Sequence, residues 1–390
     1  MLNSFQHPCL PAGRSFEPGS RNKFGMTGRD DKKKIMNIQE LLSLTIKQNA
    51  SDLHLIVGVP PSLRIDGSLL PVPGYSEVSP QDMEAMAFSL LTPQQKEAFV
   101  ANKELDFSIG FGGGIYGDAG RFRVNAYYQR GYIALDFRFL PPNIRTIEEL
   151  TLPKICHSFA ELKQGFILVT GPTGHGKSTT LAAIINEINL NRASHILTIE
   201  DPIEYIYPKG KSMVSQREMG IDTYSWTKAL RAALREDPDV VMVGEMRDPE
   251  TMEAAFTVAE TGHLVFSTLH TNSASQSIDR IVGSFPPHQQ PQIRIQLAST
   301  LKGIISQRLI PQVTKGRVAA VEVLIGTNAI ASNIRDGKTH LIDSAIQTSQ
   351  DVGMIPLEAS LASLVTSGLV SLDVAKGYAL HEEEFLRMLK

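Results

Sequence analysis

One short segment, residues 165–180 (GFILVTGPTGHGKSTT), constrains the fold more than any other part of the 390-residue chain. Residues 166–169 are an apolar run typical of a buried strand, and apolar residues return at helical spacing from Leu181 onward. Between them, at residues 171–178, lies the pattern G-x-x-x-x-G-K-S, whose backbone N–H groups cradle nucleotide phosphates. The segment therefore predicts a strand, a phosphate-binding loop and a helix in succession, as in an α/β domain.

Residues 171–178, which we call the phosphate loop, predict a site for ATP and Mg²⁺. Lys177 would place a positive charge near the β- and γ-phosphates, and the Ser178 hydroxyl is a suitable Mg²⁺ ligand. The predicted nucleotide-binding residues are Gly171, Thr173, Gly174, His175, Gly176, Lys177, Ser178 and Thr179.

Composition argues against several other classes of protein. The net charge of −3 provides no basic field for nucleic acid or anionic lipid. The cysteines, Cys9 and Cys156, form no C-x-x-C pair, which indicates a reducing compartment and argues against a zinc ribbon. No apolar run is long enough to span a bilayer, and the first residues lack a secretory signal. We therefore expect a cytoplasmic protein, which could still dock on a membrane complex.

The composition and the hydrophobic pattern of the sequence change along the chain, and these changes predict separate regions. The first region is rich in Gly, Pro, Ser, Arg and Asn without an apolar period, the second contains a D-G hairpin at residues 62–70, and a Pro-Pro pair begins the third. The predicted regions are a disordered extension at 1–35, an α+β domain at 36–140, a linker at 141–151, a doubly wound α/β domain at 152–326 and a helical region at 327–390.

Three further predicted strands of the α/β domain end in polar residues. Residues 195–199 precede Glu200, Asp201 and Glu204, residues 240–243 precede Glu245, and residues 264–267 precede His270. Ligands of an open α/β sheet bind beyond the carboxyl ends of its strands, so these side chains should meet the phosphate loop in one crevice.

Phosphoryl transfer needs a metal ion, an oriented water and a cation for the developing charge. Glu200 or Glu245 could polarise the water, and His270 could contact the γ-phosphate. The predicted metal ligands are Ser178, Asp201, Glu204 and Glu245. The alternative for each carboxylate is a helix N-cap or an exposed salt bridge, and for His270 a buried structural histidine.

The crevice residues identified in this way include no arginine, and an NTPase without one often borrows it from another domain or subunit. Arg123 and Arg138 are candidates, because both lie on otherwise apolar predicted strands near the linker. The alternative for this pair is an ordinary exposed strand face.

From Met36 to its C-terminus, the chain resembles the type IV pilus retraction ATPases of the secretion-ATPase family. The resemblance rests on motifs in the family's order, which are SDLHL at 51–55, RIDG at 64–67, RFRVN at 121–125, the phosphate loop, LTIEDPIE at 197–204, LREDPD at 234–239, GEMRD at 244–248 and TGHLVFSTLHT at 261–271.

The resemblance implies a PAS-like N-terminal domain and a RecA-like ATPase domain. It implies a homohexamer at the cytoplasmic face of the inner membrane, where ATP hydrolysis drives pilus disassembly through a platform protein. It also implies that Arg123 and Arg138 reach the nucleotide as arginine fingers, and that Glu200 orients the attacking water.

The chain departs from the family at three places. His175 stands where serine is usual, and we expect little effect because this position contributes mainly backbone. Residues 1–35 have no family counterpart. Residues 329–336 (AIASNIRD) are a weak version of the family's retraction signature, with Ala331 in place of arginine, which leaves the direction of the motor open.

Other functions compete with retraction. A pilus assembly or type II secretion ATPase of the same family would usually carry a C-x-x-C zinc element, which the sequence lacks. A nucleic-acid motor on a RecA-like core disagrees with the net charge. A non-catalytic subunit that binds ATP disagrees with the intact Lys177, Glu200, Glu245 and His270.

Overall fold

The computed structural model describes residues 36–65, 67–112, 120–140, 142–314 and 316–389. The predicted extension at 1–35 lies outside the described residues, as do Asp66 and Pro141. Within the described residues, strands and helices form two sheets with helices packed on them, which confirms the predicted α/β class.

The first sheet is antiparallel. Its strands are β1 Asp52–Ile56, β2 Ser62–Ile65, β3 Ser68–Pro71, β4 Glu104–Phe111, β5 Gly120–Gln129 and β6 Tyr132–Leu140, in the order β3-β2-β1-β6-β5-β4. The helices packed on it are α1 Ile38–Lys47, α2 Pro80–Leu90 and α3 Pro93–Asn102. Buried residues alternate with partly exposed ones along much of β5, as expected when helices cover only one face. The pairing of β2 with β3 confirms the hairpin predicted at residues 62–70.

The second sheet is mixed and carries the phosphate loop. Its strands are β7 Gly165–Thr170, β8 His195–Glu200, β9 Met213–Glu218, β10 Val240–Val243, β11 Leu264–Leu269, β12 Leu301–Pro311 and β13 Arg317–Ile325, in the order β13-β12-β7-β11-β10-β8-β9. The pairs are parallel except for β12 with β13. Four of these strands (β7, β8, β10 and β11) were predicted from apolar runs, whereas the sequence analysis did not identify β9, β12 or β13.

Helices cover both faces of the second sheet. They are α4 Ile155–Glu161, α5 Lys177–Asn191, α6 Trp226–Ala233, α7 Pro249–Glu260, α8 Ala274–Gly283 and α9 Gln290–Thr300. Separate apolar clusters lie on the two faces, one under α4 and α5 and the other under α6 to α9. Because β7 and β10 are buried on both sides, their sequences are near-continuous apolar runs with little alternation.

The chain ends in helices, as predicted for residues after 326. They are α10 Asn328–Arg335, α11 Ile342–Thr348, α12 Leu357–Thr366, α13 Leu372–Tyr378 and α14 Glu382–Met388. In α10, Ile330 and Ile334 are buried against the second sheet's helices, whereas Arg335 and Asp336 are exposed. No helix within the described residues is both long and apolar enough to cross a lipid bilayer.

A buried carboxylate connects the two sheets. Glu218, at the end of β9, accepts hydrogen bonds from Arg121 of β5 at 3.2 Å and from the Ser108 hydroxyl of β4 at 2.7 Å. It also accepts the backbone N–H of Ile203, in the segment after β8, at 3.2 Å. Burial raises the pKa of Glu218. One side chain therefore holds the first sheet against the segment that follows β8.

Candidate active site

The phosphate loop turns from β7 into the N-terminus of α5. Lys177 is the first residue of that helix, and Gly176 precedes it with φ of 82°, which favours glycine. Within the described residues, no acceptor receives the N–H groups of Gly174, Gly176, Lys177 or Ser178. Free N–H groups at a helix N-terminus attract anions, so this loop fits a nucleotide phosphate.

The Lys177 ammonium lies inside the hollow of the loop. Its Nζ donates hydrogen bonds to the carbonyl oxygens of Gly171 at 2.8 Å and Pro172 at 3.1 Å. Burial lowers the pKa of Lys177, and the nearby charges of Glu245 and Glu204 act in the opposite direction. The cation is therefore held by backbone carbonyls in the place where a phosphate would bring negative charge.

His270 bridges the phosphate loop and the acidic residue after β10. Its Nδ1 lies 3.1 Å from the Thr173 hydroxyl and 3.5 Å from Lys177 Nζ, and its Nε2 lies 3.1 Å from Glu245 Oε1. These partners assign a proton to Nε2, which donates to Glu245, and leave Nδ1 as an acceptor. The His270 side chain therefore lies close enough to the phosphate loop to contact a ligand bound there.

Glu245 also contacts Arg247, a residue that the sequence analysis did not select. Arg247 Nη2 donates to Glu245 Oε2 at 3.0 Å. This hydrogen bond raises the pKa of Arg247, and so do the charges of Glu245 and Asp201. The structure therefore places an arginine beside Glu245, although the residues selected from the sequence included none. Its position was not predictable, because it depends on how the chain turns after β10.

Glu200 is the last residue of β8 and is buried. Its Oε1 accepts hydrogen bonds from the Thr198 hydroxyl at 2.7 Å and from Gln216 Nε2 at 3.2 Å. Burial outweighs these bonds and raises the pKa of Glu200 to about 7. A carboxylate with this pKa can take up a proton near neutral pH, as a general base must.

The predicted metal ligands surround the loop without forming a closed cage. Asp201 is exposed and Glu204 is half-buried, while Ser178 lies in the first turn of α5. Among the described residues, no three His, Cys, Asp or Glu side chains are grouped closely enough to hold a metal ion. This arrangement fits Mg²⁺, which usually takes one or two protein ligands and completes its shell with phosphates and water. The individual metal ligands stay predictions.

Arg123 and Arg138 lie opposite each other on β5 and β6, within the first sheet. Arg138 Nε donates to Asp52 at 3.0 Å, and Arg123 lies 3.9 Å from Asp106. Among the described residues, neither guanidinium contacts the phosphate loop of the same chain. Both side chains are at least 40% exposed, so they are accessible to another molecule.

His175 contributes more than the backbone that was expected of it. Its Nδ1 accepts the backbone N–H of Leu309 in β12 at 3.1 Å, and its carbonyl oxygen accepts a hydrogen bond from Gln307 at 2.8 Å. Burial lowers the pKa of His175, as do the charges of Lys177, Arg308 and Arg317. The neutral imidazole therefore ties the phosphate loop to β12, a contact that no local sequence signal indicated.

Comparison with known proteins agrees with this fold and loop. Residues 147–366 match the family model described as type II/IV secretion system protein. The pilus retraction ATPase PilT of Pseudomonas aeruginosa is 44% identical over 90% of this chain and all of its own length. A twitching motility protein of Neisseria gonorrhoeae is 42% identical over 89% of this chain and 91% of its own.

Among solved structures, the crystal structure of the pilus retraction motor PilT with bound ADP superposes with a TM-score of 0.83 at 45% identity. The match covers 90% of this chain and 99% of that one. The chain therefore belongs to the type II/IV secretion system protein family, a family of ATPases. Within that family, its similarity is to the pilus retraction ATPases.

Proposed function

We propose that this protein is an ATP-hydrolysing motor that drives type IV pilus retraction and so twitching motility. The observation that carries the proposal is the joint presence of an open phosphate loop and a neighbouring His270–Glu245 pair, in a chain similar along most of its length to retraction ATPases. Retraction requires ATP hydrolysis that is coupled to motion.

Nucleotide binding is the task of the phosphate loop. The free N–H groups of Gly174, Gly176 and Lys177 would donate to phosphate oxygens, and the Lys177 ammonium would balance their charge. The Ser178 hydroxyl would hold Mg²⁺, with Asp201, Glu204 and Glu245 acting directly or through water. The bound ion would supply positive charge for the phosphate oxygens.

Water activation is the task of the buried carboxylate. Glu200 combines a pKa of about 7 with a position at the carboxyl end of β8, so its ionised form can accept a proton from water at neutral pH. Glu245 and His270 form the link by which a γ-phosphate would be sensed, because His270 contacts Thr173 and Lys177 on its other edge.

Motion would require the rest of the molecule. We assign residues 36–140 to a PAS-like domain, 152–326 to a RecA-like domain and 327–390 to a helical region, with 141–151 as the linker. The separate sheets in the first two segments support this division. In a homohexamer at the cytoplasmic face of the inner membrane, Arg123 and Arg138 would reach a nucleotide across a domain or subunit boundary, and the platform protein would receive the motion.

The test combines enzymology with a cellular readout. Wild-type protein should hydrolyse ATP in the presence of Mg²⁺, Lys177→Ala should abolish turnover, and the exposed Lys209→Ala should leave it unchanged. Cells that carry Lys177→Ala as their only copy should lose twitching and accumulate surface pili. Cells without pili would instead identify an assembly motor, and turnover within twofold of wild type in Lys177→Ala would remove the phosphate loop from the mechanism.

A further inference from the structure

Gln307 of β12 lies against the phosphate loop, 132 positions away along the chain. It is 3% exposed, and its Nε2 donates to the carbonyl oxygen of His175 at 2.8 Å. β12 runs beyond its last pairing with β7, between Ser306 and Thr170, so its next residues are free to face the loop. A buried amide at this place is costly unless its hydrogen bonds are made, which indicates a specific task.

The orientation of this amide is fixed from both sides. Gln307 Oε1 accepts the hydroxyl hydrogen of Thr180 at 2.6 Å, while the His175 carbonyl can only accept. Nε2 must therefore face His175, and Oε1 must face Thr180. The Thr180 hydroxyl, one turn into α5, holds the other end of the amide in place by donating to Oε1.

The direction of the His175 carbonyl sets the direction of the next N–H. The peptide between His175 and Gly176 is trans, so its C=O and N–H point to opposite sides. With the carbonyl directed at Gln307, the Gly176 N–H is directed away from β12. Among the described residues it has no acceptor.

The glycines at both ends of the phosphate loop are required by the same residue. A Cβ at Gly176 would lie 2.9 Å from Gln307 Nε2, and one at Gly171 would lie 2.3 Å from the Gln307 carbonyl oxygen. The loop therefore packs on Gln307 at its first and last glycine. The backbone of Gln307 therefore limits how closely Gly171 approaches β12, and its side chain does the same at Gly176.

We propose that Gln307 is a positioning residue for nucleotide binding, which turns the His175–Gly176 peptide so that the Gly176 N–H faces the phosphates of the nucleotide. This inference rests on the proposed function, because it assumes that the loop binds a nucleotide. Gln307 acts through the peptide and does not itself touch the ligand.

The experiment uses the full-length protein and measures ADP affinity by calorimetry, ATPase kcat and KM, and thermal unfolding without nucleotide. In Gln307→Glu the new carboxylate cannot donate to the His175 carbonyl and repels it, so the peptide should turn. We expect ADP affinity to fall about 10- to 100-fold, as for the loss of one hydrogen bond to a charged group, with KM raised more than kcat is lowered. Gln312→Glu, the same change just beyond β12, should leave all three quantities unchanged.

A second pair of variants keeps the test decisive if Gln307→Glu does not fold. Thr180→Val removes the hydrogen bond that holds Gln307 Oε1, whereas Thr180→Ser retains a hydroxyl donor. Lower ADP affinity in Thr180→Val with near-normal affinity in Thr180→Ser would support the inference, and equal affinity in both would overturn it.

Failure of the inference and failure of the proposed function are distinguishable. If the wild-type protein neither binds ADP nor hydrolyses ATP, the proposed function is wrong. If the wild-type protein does both, while folded Gln307→Glu binds ADP within twofold of it, Gln307 has no positioning role. A lowered unfolding temperature with unchanged ADP affinity would assign Gln307 to stability alone.

Discussion

Single residues in the crevice differ in how burial changes their protonation, and Glu200 is the clearest case. Since the carboxylate must be ionised to act as a base, and its pKa is about 7, kcat/KM should fall as the pH drops below about 7. Glu200→Gln should lower kcat about 100- to 10,000-fold at neutral pH and remove this acid limb. Steady-state kinetics from pH 5.5 to 8.5 would check both, with the exposed Glu253→Gln as the control. A variant with near-normal kcat would assign the base to another group.

His175 predicts a pH effect on stability. Its folded-state pKa is lowered, so the unfolded chain takes up the proton first as the pH falls. The stabilisation is therefore present above the unfolded-state pKa of about 6.5 and is lost as the pH falls through the folded-state value. At pH 7.5, His175→Ser should have a free energy of unfolding about 1 kcal/mol lower than wild type, the contribution of one hydrogen bond. Between pH 7.5 and pH 5, the free energy of unfolding should fall less in His175→Ser than in wild type.

Chemical denaturation of both proteins at the two pH values would measure this effect. His157→Ser serves as a comparison of opposite sign, because hydrogen bonding to Glu187 raises the pKa of that histidine. Parallel pH dependence of wild type and His175→Ser would contradict the assignment.

The sequence identifies the residues whose position follows from the end of a strand, and misses those placed by the turn of a loop or by a distant strand. Lys177, Glu200 and His270 belong to the first group, because a motif or a strand end fixes where they lie. Arg247 and Gln307 belong to the second group. Gln307 lies in a segment with no phosphate-binding signal, and only the pairing of β12 beside β7 brings it to the loop.

Among the elements, buried parallel strands were predictable and polar strands were not. β7, β10 and β11 are short apolar runs, because both of their faces are covered. β9 contains mainly polar residues and lies at the edge of the sheet, so it lacks both apolar continuity and clear alternation. In β12, the buried polar residues Ser306 and Gln307 interrupt the apolar run.

The surface of α10 predicts that a variant can keep ATP hydrolysis and lose pilus retraction. Ile330 and Ile334 anchor the helix, while Arg335 and Asp336 are exposed to solvent. Asp336 accepts a hydrogen bond from Lys338 at 3.0 Å. The double variant Arg335→Ala with Asp336→Ala should therefore keep the ATPase rate within about twofold and lose less than about 0.5 kcal/mol of stability. Cells that carry it should nevertheless stop twitching and accumulate pili.

The matched control for α10 is Ile334→Ala, which removes a buried side chain and should lower stability by about 2–5 kcal/mol. Loss of both ATPase activity and stability in the double-alanine variant would show that the helix is only part of the core. Normal retraction in that variant would contradict a coupling role.

At the scale of the whole molecule, a buried polar contact attaches the first sheet to the segment that follows β8. Arg121 and Ser108 hold Glu218, and Glu218 holds the Ile203 N–H just after Glu200 and Asp201. Movement of residues 201–204 would therefore be transmitted through Glu218 and Arg121 to β5, the strand that carries Arg123. Sequence patterns predict each sheet separately but not this contact, which joins residues about a hundred positions apart.

Arg123 predicts catalysis between subunits. Because its guanidinium is exposed and does not contact its own phosphate loop, Arg123→Ala should leave ADP affinity within about twofold while lowering kcat by about 1,000-fold or more. Arg64→Ala, a change at another partly exposed arginine on the first sheet, is the control. Rings that mix Lys177→Ala and Arg123→Ala protomers should regain part of the activity. If each variant forms rings and the mixtures stay inactive, the arginine does not act in trans.

The late position of β12 in the chain also determines when its contact with the phosphate loop can form during translation. The Gln307 contact closes 132 residues after the His175 carbonyl has been made, and a ribosome that adds about 5–20 residues per second needs roughly 7–26 s for that stretch. During that interval the phosphate loop is completed first and Glu200 and Glu245 follow, but the strand that supports the loop has not yet been made. The phosphate loop therefore gains this supporting contact only when most of the protomer has already been synthesised.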